Sequence, residues 1–318
     1  MEKYGLYQIT IPLPFRLNHV HCYLARQGNR WKIIDTGLNR KETENVWQEA
    51  FETNGINVAE DIDDIILTHH HPDHLGFAGR MEEWTQAPVK ISKLAGYWAQ
   101  YVWQDSTYSK TREFFENNGL PADLLVDMAE YDQKFHSYLM PLPKRLETFE
   151  EGEYLQIGEL KYEAISTPGH ADGHMCFYNL EEKVLLGGDH ILKKITPNIS
   201  YYGYGEENPL KAYIESLNRI QSLEISLILP GHGPIITDVG ERINEILKHH
   251  EERLAQVLDD VIGEETAYDI CNRLFKRELT VHEQRFAMGE TLAHLNYLVG
   301  LGEIQKSVDD GGNVLFKK

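Results

Sequence analysis

Residues 62–76 read IDDIILTHHHPDHLG: an apolar stretch runs directly into three histidines, a proline, an aspartate and a fourth histidine. If the buried strand reaches residue 71, alternate side chains share one side, so His69 and His71 face together and His70 faces away. A helical reading would instead pair His70 with His74, four positions apart. That reading places Pro72, which has no N–H, inside the turn, and it lacks the Glu that follows the first histidine of a zinc-binding H-E-x-x-H helix. Beyond Pro72 a new turn can aim Asp73 and His74 back at the strand end. His69, His71, Asp73 and His74 thus form a donor set concentrated in a single segment, enough to begin two adjacent metal sites.

Two metals need further donors, and later segments offer them. His170 ends STPGH, Asp189 sits in LLGGDH and His232 in ILPGHG. Each follows a short apolar run or lies in a Gly-rich turn, where a side chain projects from a rigid edge and the backbone can approach closely. The chain must therefore fold so that several strand ends meet along one edge. A carboxylate such as Asp189 can bridge two cations, and imidazole suits zinc and other first-row metals.

The remaining pattern fits a mixed αβ chain. Residues 4–14, 19–26 and 30–37 read as strands, with Gly28-Asn29 as a turn. Residues 40–55 have helical spacing and a stop at Gly55. A strand is expected near residues 87–93, followed by an aromatic-rich helical insert at about 95–145. Strands resume across 147–167 and 174–190. A helix at 209–223, a strand at 225–233 and a long helix at 239–260 follow. From about 263, two helical stretches and a hairpin pattern suggest a small winged-helix-like unit. The expected division is residues 1–240 as a catalytic domain carrying the insert, and 241–318 as a connecting helix and winged-helix-like domain.

Bulk properties narrow the partners. The formal net charge is −19, which repels nucleic acid and anionic lipid at long range. The tail from residue 263 carries seven Lys/Arg against nine Asp/Glu, which is not a basic recognition surface. Cys22, Cys176 and Cys271 are widely spaced and read as buried thiols of a reducing compartment. MEKYGLYQIT lacks the apolar core of a signal peptide, and no apolar run is long enough to span a bilayer. A cytoplasmic protein with no membrane partner is expected, and a second copy of the chain is a candidate partner.

Taken together, Thr68-His69-x-His71-x-Asp73-His74-x-Gly76, Thr167-Pro168-Gly169-His170, Gly188-Asp189, Gly231-His232-Gly233 and the IIDTG at 33–37 resemble the metallo-β-lactamase-fold hydrolases. The resemblance covers about residues 1–240. It implies an α+β fold, a four-layer αβ/βα sandwich with the site at one edge of its two sheets. It implies that His69, His71 and His170 hold one divalent metal, that Asp73, His74 and His232 hold a second, and that Asp189 bridges them. Zinc is the first expectation for the two ions, with iron or manganese also fitting these donors. A hydroxide bridging the metals would attack the substrate, with Asp73 and Asp189 as the catalytic carboxylates. Asp35 and His174 are candidates for fixing the ligands from behind.

Within that family, TPGHADGHMCFY and GDHIL resemble the glyoxalase II-related branch. The expected substrate is an ester or thioester, acyl-CoA-like or a glutathione thioester. Endoribonuclease or phosphodiesterase activity is the alternative, since a winged-helix tail occurs in an RNA-cleaving branch. Tyr97, Trp98 and Tyr101 of the insert, and Tyr201, Tyr202 and Tyr204 shortly after Asp189, are candidate substrate contacts. His19 and His21 are read as structural, and His249 and His250 as solvated on a charged helix. His282 and His294 lie in the tail with no partner signature.

Overall fold

The apolar runs of the strand segments fold as two sheets packed face to face. The structure is a computed structural model that describes residues 1–318, apart from the side chain of Lys134. After a short 3-10 turn come β1 (Leu6–Pro12), β2 (His19–Gln27) and β3 (Arg30–Ile34), then α1 (Lys41–Asn54), α2 (Val58–Asp61) and β4 (Ile62–Ile66). The one-turn α3 (Pro72–Leu75), α4 (Ala78–Thr85) and β5 (Val89–Ser92) lead into three helices of the insert, α5 (Lys93–Tyr101), α6 (Asp105–Asn117) and α7 (Ala122–His136). Strands β6 (Leu146–Phe149), β7 (Tyr154–Ile157), β8 (Leu160–Ser166), β9 (Met175–Asn179) and β10 (Val184–Gly188) follow. The chain closes with α8 (Pro209–Gln221), β11 (Leu227–Pro230), α9 (Val239–Asp260), α10 (Ala267–Leu274), α11 (Val281–Leu301), β12 (Gln305–Val308) and β13 (Val314–Lys317).

One sheet has the order β1-β2-β3-β4-β5-β6 and the other β11-β10-β9-β8-β7. Strands β3 to β6 are parallel, and β10 pairs β11 in parallel. Both faces of both sheets are covered, so strands such as β9 and β10 are buried throughout rather than on alternate residues. Alternation decides which core each residue joins. In β9 and β10, Met175, Phe177, Val184 and Leu186 point between the sheets, while Cys176, Tyr178 and Leu185 pack under α8 and α9. On the other sheet Val20, Cys22 and Leu24 pack under α1 and α4, and Tyr23 and Ala25 face the second sheet. The result is four layers, helix–sheet–sheet–helix.

The expected elements are present, with one shift that matters. Strand β4 stops at Ile66, so His69 to His71 lie in a loop and not on a strand end. The chain leaves the ladder because the Thr68 amide donates to the Asp35 carboxylate at 2.8 Å. The helix α9 spans the expected domain boundary and belongs to both sides. Its Ile243 and Ile246 pack on the sheet layer, while Val257 packs in a tail core with Ile270, Met288 and Phe316. Phe115, Leu120, Leu125 and Met128 of the insert join that same tail core. Insert and tail are therefore one packed body above the sheet edge. His250, expected in solvent, is buried against Tyr213 and His294 because α9 is covered on two sides. The three cysteines are free and buried. No helix among the described residues is long and apolar enough to cross a membrane.

Candidate metal centre

The donor side chains meet where the carboxyl ends of β3, β4 and β10, and the loop after β11, open on one edge. Most are held from behind. Asp35, just after β3, takes a left-handed backbone conformation with φ 57°. Its carboxylate accepts from the Thr68 amide, the Thr68 hydroxyl and His74 Nδ1, each at 2.8 Å. With its proton on Asp35, the Thr68 oxygen is left to accept from His69 Nδ1 at 3.0 Å. His170 Nδ1 donates to the Asn198 carbonyl at 2.9 Å, and His232 Nδ1 donates to the His19 carbonyl. Four imidazoles thus have one nitrogen committed to a donor role, which fixes the tautomer and turns the Nε2 lone pair inward.

Pro72 sits at the first position of α3 with His71 as its N-cap, so one turn of helix delivers Asp73 and His74. The Thr36 amide ties His74 down through its carbonyl at 2.8 Å. Glycines let the loops close on the site. A Cβ on Gly231 would stand 2.3 Å from Asp189 Oδ1, and one on Gly188 would stand 2.7 Å from His174 Nε2. His174 is fully buried; its Nδ1 pairs with Thr167 Oγ1 and its Nε2 accepts from the Asp189 amide at 3.1 Å. It fixes the position of Asp189 and packs 4.9 Å from the His69 ring, but belongs to neither donor group.

The seven candidate ligands fall into two groups. Donor atoms of His69, His71 and His170 lie within 4.8 Å of one another, as do those of Asp73, His74, Asp189 and His232. Asp189 lies between the groups: its Oδ2 is 3.6 Å from His170 Nε2 and 3.2 Å from His232 Nε2, and its Oδ1 is 3.4 Å from His74 Nε2. His71 turns Nδ1 toward His170 Nε2, 2.9 Å away. His70 is not part of either group, yet it lines the cavity above them.

The donor set fits cations. Nε2 of His69, His74 and His232 and Oδ1 of Asp189 are buried and have no hydrogen-bond partner among the described residues. Each such atom would cost about 1–3 kcal/mol if left unsatisfied, and a divalent ion satisfies several together. Electrostatics agree. Burial and the neighbouring His74 push His69 well below the usual imidazole range. Burial opposes a charge on His232, but the Asp189 and Asp73 carboxylates beside it lift it to about 10. The same balance holds His74 well above its ordinary value, with Asp189 and Asp35 as the opposing charges. Protons therefore sit where a cation would compensate the carboxylates, and binding would release them.

A cavity of about 1000 Å³ opens over the donors. Its aromatic walls come from three places: Trp98, Trp103 and Phe135 of the insert, Phe15 before β2, and His282 and Phe286 of α11. Tyr202 and Tyr204, two of the candidate substrate contacts, also line it. Three of the expected contacts do not. Tyr97 is 55% exposed and faces out of the α5 layer. Tyr101 stacks on Tyr97 and on the edge of Trp98, behind the wall. Tyr201 packs edge-to-face on Phe114 at 5.3 Å, in the body shared by insert and tail.

Phe15, His282 and Phe286 were not marked by any site-like motif. One signal was available: the apolar and small residues of α11 do not fall along one stripe, which is the mark of a helix packed between other layers.

The sequence pattern of the Metallo-beta-lactamase superfamily matches residues 16–232, which include every donor described above. The chain belongs to this superfamily. The pattern of the metallo-beta-lactamase-like C-terminal domain matches residues 254–318. Among relatives, "Probable metallo-hydrolase YqjP" of Bacillus subtilis (strain 168) is 28% identical over 321 residues, covering 97% of this chain and 96% of its own. "Beta-lactamase-like protein 2 homolog" of Caenorhabditis elegans is 25% identical over 83% of this chain and 73% of its own. A metallo-beta-lactamase family protein from Thermus thermophilus superposes with a TM-score of 0.88 at 32% identity, over 99% of this chain and 98% of that one. A beta-lactamase domain protein from Burkholderia ambifaria gives 0.86 at 27% identity, over 99% and 91%. These superpositions extend over the tail as well as the sandwich. The superfamily and its metallo-hydrolase relatives make this chain a hydrolase of the metallo-beta-lactamase fold with a metal-binding His/Asp cluster.

Proposed function

We propose that the chain hydrolyses an ester or thioester that carries a bulky apolar acyl group. The observation behind this reading is the pairing of a complete donor cluster with a large aromatic-walled cavity directly above it. His69, His71 and His170 would hold one divalent cation and Asp73, His74 and His232 a second, with Asp189 shared; zinc suits these donors, as do iron and manganese. Such ions, when bound, supply a Lewis acid and lower the pKa of bound water from 15.7 to about 7. The protein's own groups do the rest. Asp73, with 23% of its side chain exposed, faces the cavity and can orient the attacking water. Trp98, Phe135 and Phe15 receive the acyl group and keep bulk water from the scissile bond. A net charge of −19 and the absence of a basic tail speak against nucleic acid as the substrate.

The test is a panel of straight-chain acyl thioesters, lactones, phosphodiesters and RNA, assayed with metal-loaded and chelator-treated protein. Each methylene buried in the cavity is worth about 0.8 kcal/mol, so kcat/KM should rise about fourfold per added carbon until the cavity is filled. Faster turnover of RNA or a phosphodiester than of every thioester and ester would overturn the reading.

A further inference from the structure

The proposed reaction leaves one feature of the cavity unused. Arg16, in the loop between β1 and β2, and Arg277, in the turn before α11, converge on Glu283. Their guanidinium nitrogens stand 3.2 and 3.0 Å from the same carboxylate oxygen, Oε1. The second oxygen, Oε2, accepts from the Thr280 amide and hydroxyl, each at 3.0 Å, which fixes Glu283 in the capping box of α11. All four residues line the cavity. Two guanidinium groups on one carboxylate leave one positive charge uncompensated. The side chains of Arg16 and Arg277 are 82% and 51% exposed; apart from Arg277 Nη1, which donates to the Glu278 carbonyl at 3.4 Å, their remaining N–H donors can meet a ligand at the opening. The third cavity arginine, Arg285, is neutralised by Asp132. The N-terminus of α11 adds a partial positive charge at the same place.

This local charge runs against the rest of the molecule. A chain of net charge −19 repels anions at long range, and its main cavity is walled by aromatics, yet the rim presents two forked donors of the kind that match phosphate and carboxylate. We propose that Arg16 and Arg277 form an anion subsite at the mouth of the cavity, which takes a phosphate or carboxylate on the carrier side of the substrate while the acyl group enters the aromatic chamber. The subsite joins the sandwich to the C-terminal domain, so the tail contributes to substrate choice. This inference rests on the ester or thioester reading above.

The experiment is calorimetric titration of the metal-loaded full chain with three thioethers that cannot be hydrolysed: S-hexyl-coenzyme A, S-hexylglutathione and the neutral S-hexyl-N-acetylcysteamine. Wild type is compared with the Arg16→Gln/Arg277→Gln double variant. The variant should bind at least one anionic ligand about tenfold more weakly or worse, as the loss of charge-assisted hydrogen bonds implies, and should bind the neutral ligand unchanged. A larger loss with S-hexyl-coenzyme A assigns the subsite to phosphate, and a larger loss with S-hexylglutathione assigns it to carboxylate. Equal losses for all three ligands, no loss for any, or no measurable binding of either anionic ligand to wild type would overturn the proposal. None of the probes is turned over. An arginine-dependent result therefore stands even where wild type hydrolyses no thioester, and in that case the reaction reading is the one that fails.

Discussion

Asp35 holds a backbone position, φ 57°, that Asp and Asn tolerate better than most residues. From there one carboxylate receives three hydrogen bonds and orients both His74 and, through Thr68, His69. Asp35→Asn keeps the shape and the backbone preference but loses an acceptor for a charged or donating imidazole. Metal affinity should fall about 10- to 100-fold, measured by competition with a chromophoric chelator, with little change in far-UV circular dichroism. Unchanged affinity would remove Asp35 from the site's support. At this scale much was legible in the sequence. Spacing and the position of Pro72 select His69, His71, Asp73 and His74, and the structure groups them with His170, Asp189 and His232. What spacing could not give is which ring nitrogen faces inward. That depends on partners far along the chain, such as the carbonyls of Asn198 and His19. It also depends on the loop after Ile66, where strand alternation no longer applies.

At the scale of elements, helices were readable where one face is apolar and harder to place where two are. The helix α1 is amphipathic, and its Trp47 is fully buried with Nε1 donating to the Thr36 carbonyl at 2.9 Å. Trp47→Ala should cost about 3–5 kcal/mol, read from the urea midpoint of the chelator-treated protein; a cost below about 1 kcal/mol would mean the wall behind Asp35 is not close-packed. The insert and α11 were recognised as helical, but their union was not foreseen, since packing between segments far apart in sequence leaves no local pattern. Arg285 of α11 pairs with Asp132 of α7 across that seam. Arg285→Ala leaves Asp132 without its partner. The pair is partly exposed, so a loss of about 2 kcal/mol is expected rather than the 3–5 of a fully buried pair. The cavity wall should loosen with it, raising KM for long acyl substrates more than for short ones.

For the whole molecule, imidazoles wholly or partly buried outside the candidate metal centre set a pH dependence of stability. Burial holds His250 down to about 3, and His294 and His282 down to about 4. In the unfolded chain each titrates near about 6.5. Between about pH 6.5 and 4 the unfolded chain binds protons that the native chain does not, so stability rises with pH across this window and is lost as pH falls through it. The slope should approach about 1.4 kcal/mol per pH unit for each imidazole, flattening below about pH 4 for His294 and His282 and below about pH 3 for His250. Urea midpoints of chelator-treated protein at successive pH values measure it, and His294→Leu should reduce the slope; a flat profile would contradict the burial of these rings. The four-layer arrangement was expected only through the resemblance that the His/Asp motifs carry. Of the chamber above the donors only Trp98, Tyr202 and Tyr204 were foreseen, because its walls are assembled from a loop, an insert and a tail that share no motif.

The proposed two-cation site draws on seven side chains, with Asp189 between its halves. Metal titration of chelator-stripped protein, wild type beside Asp189→Ala, tests it most directly, with bound metal counted by elemental analysis and turnover measured on the same samples. The expected result is two equivalents per wild-type chain, at least one of them lost in the variant together with activity. A wild-type chain that binds no more than one equivalent, or a variant that keeps both ions and full turnover, would contradict it.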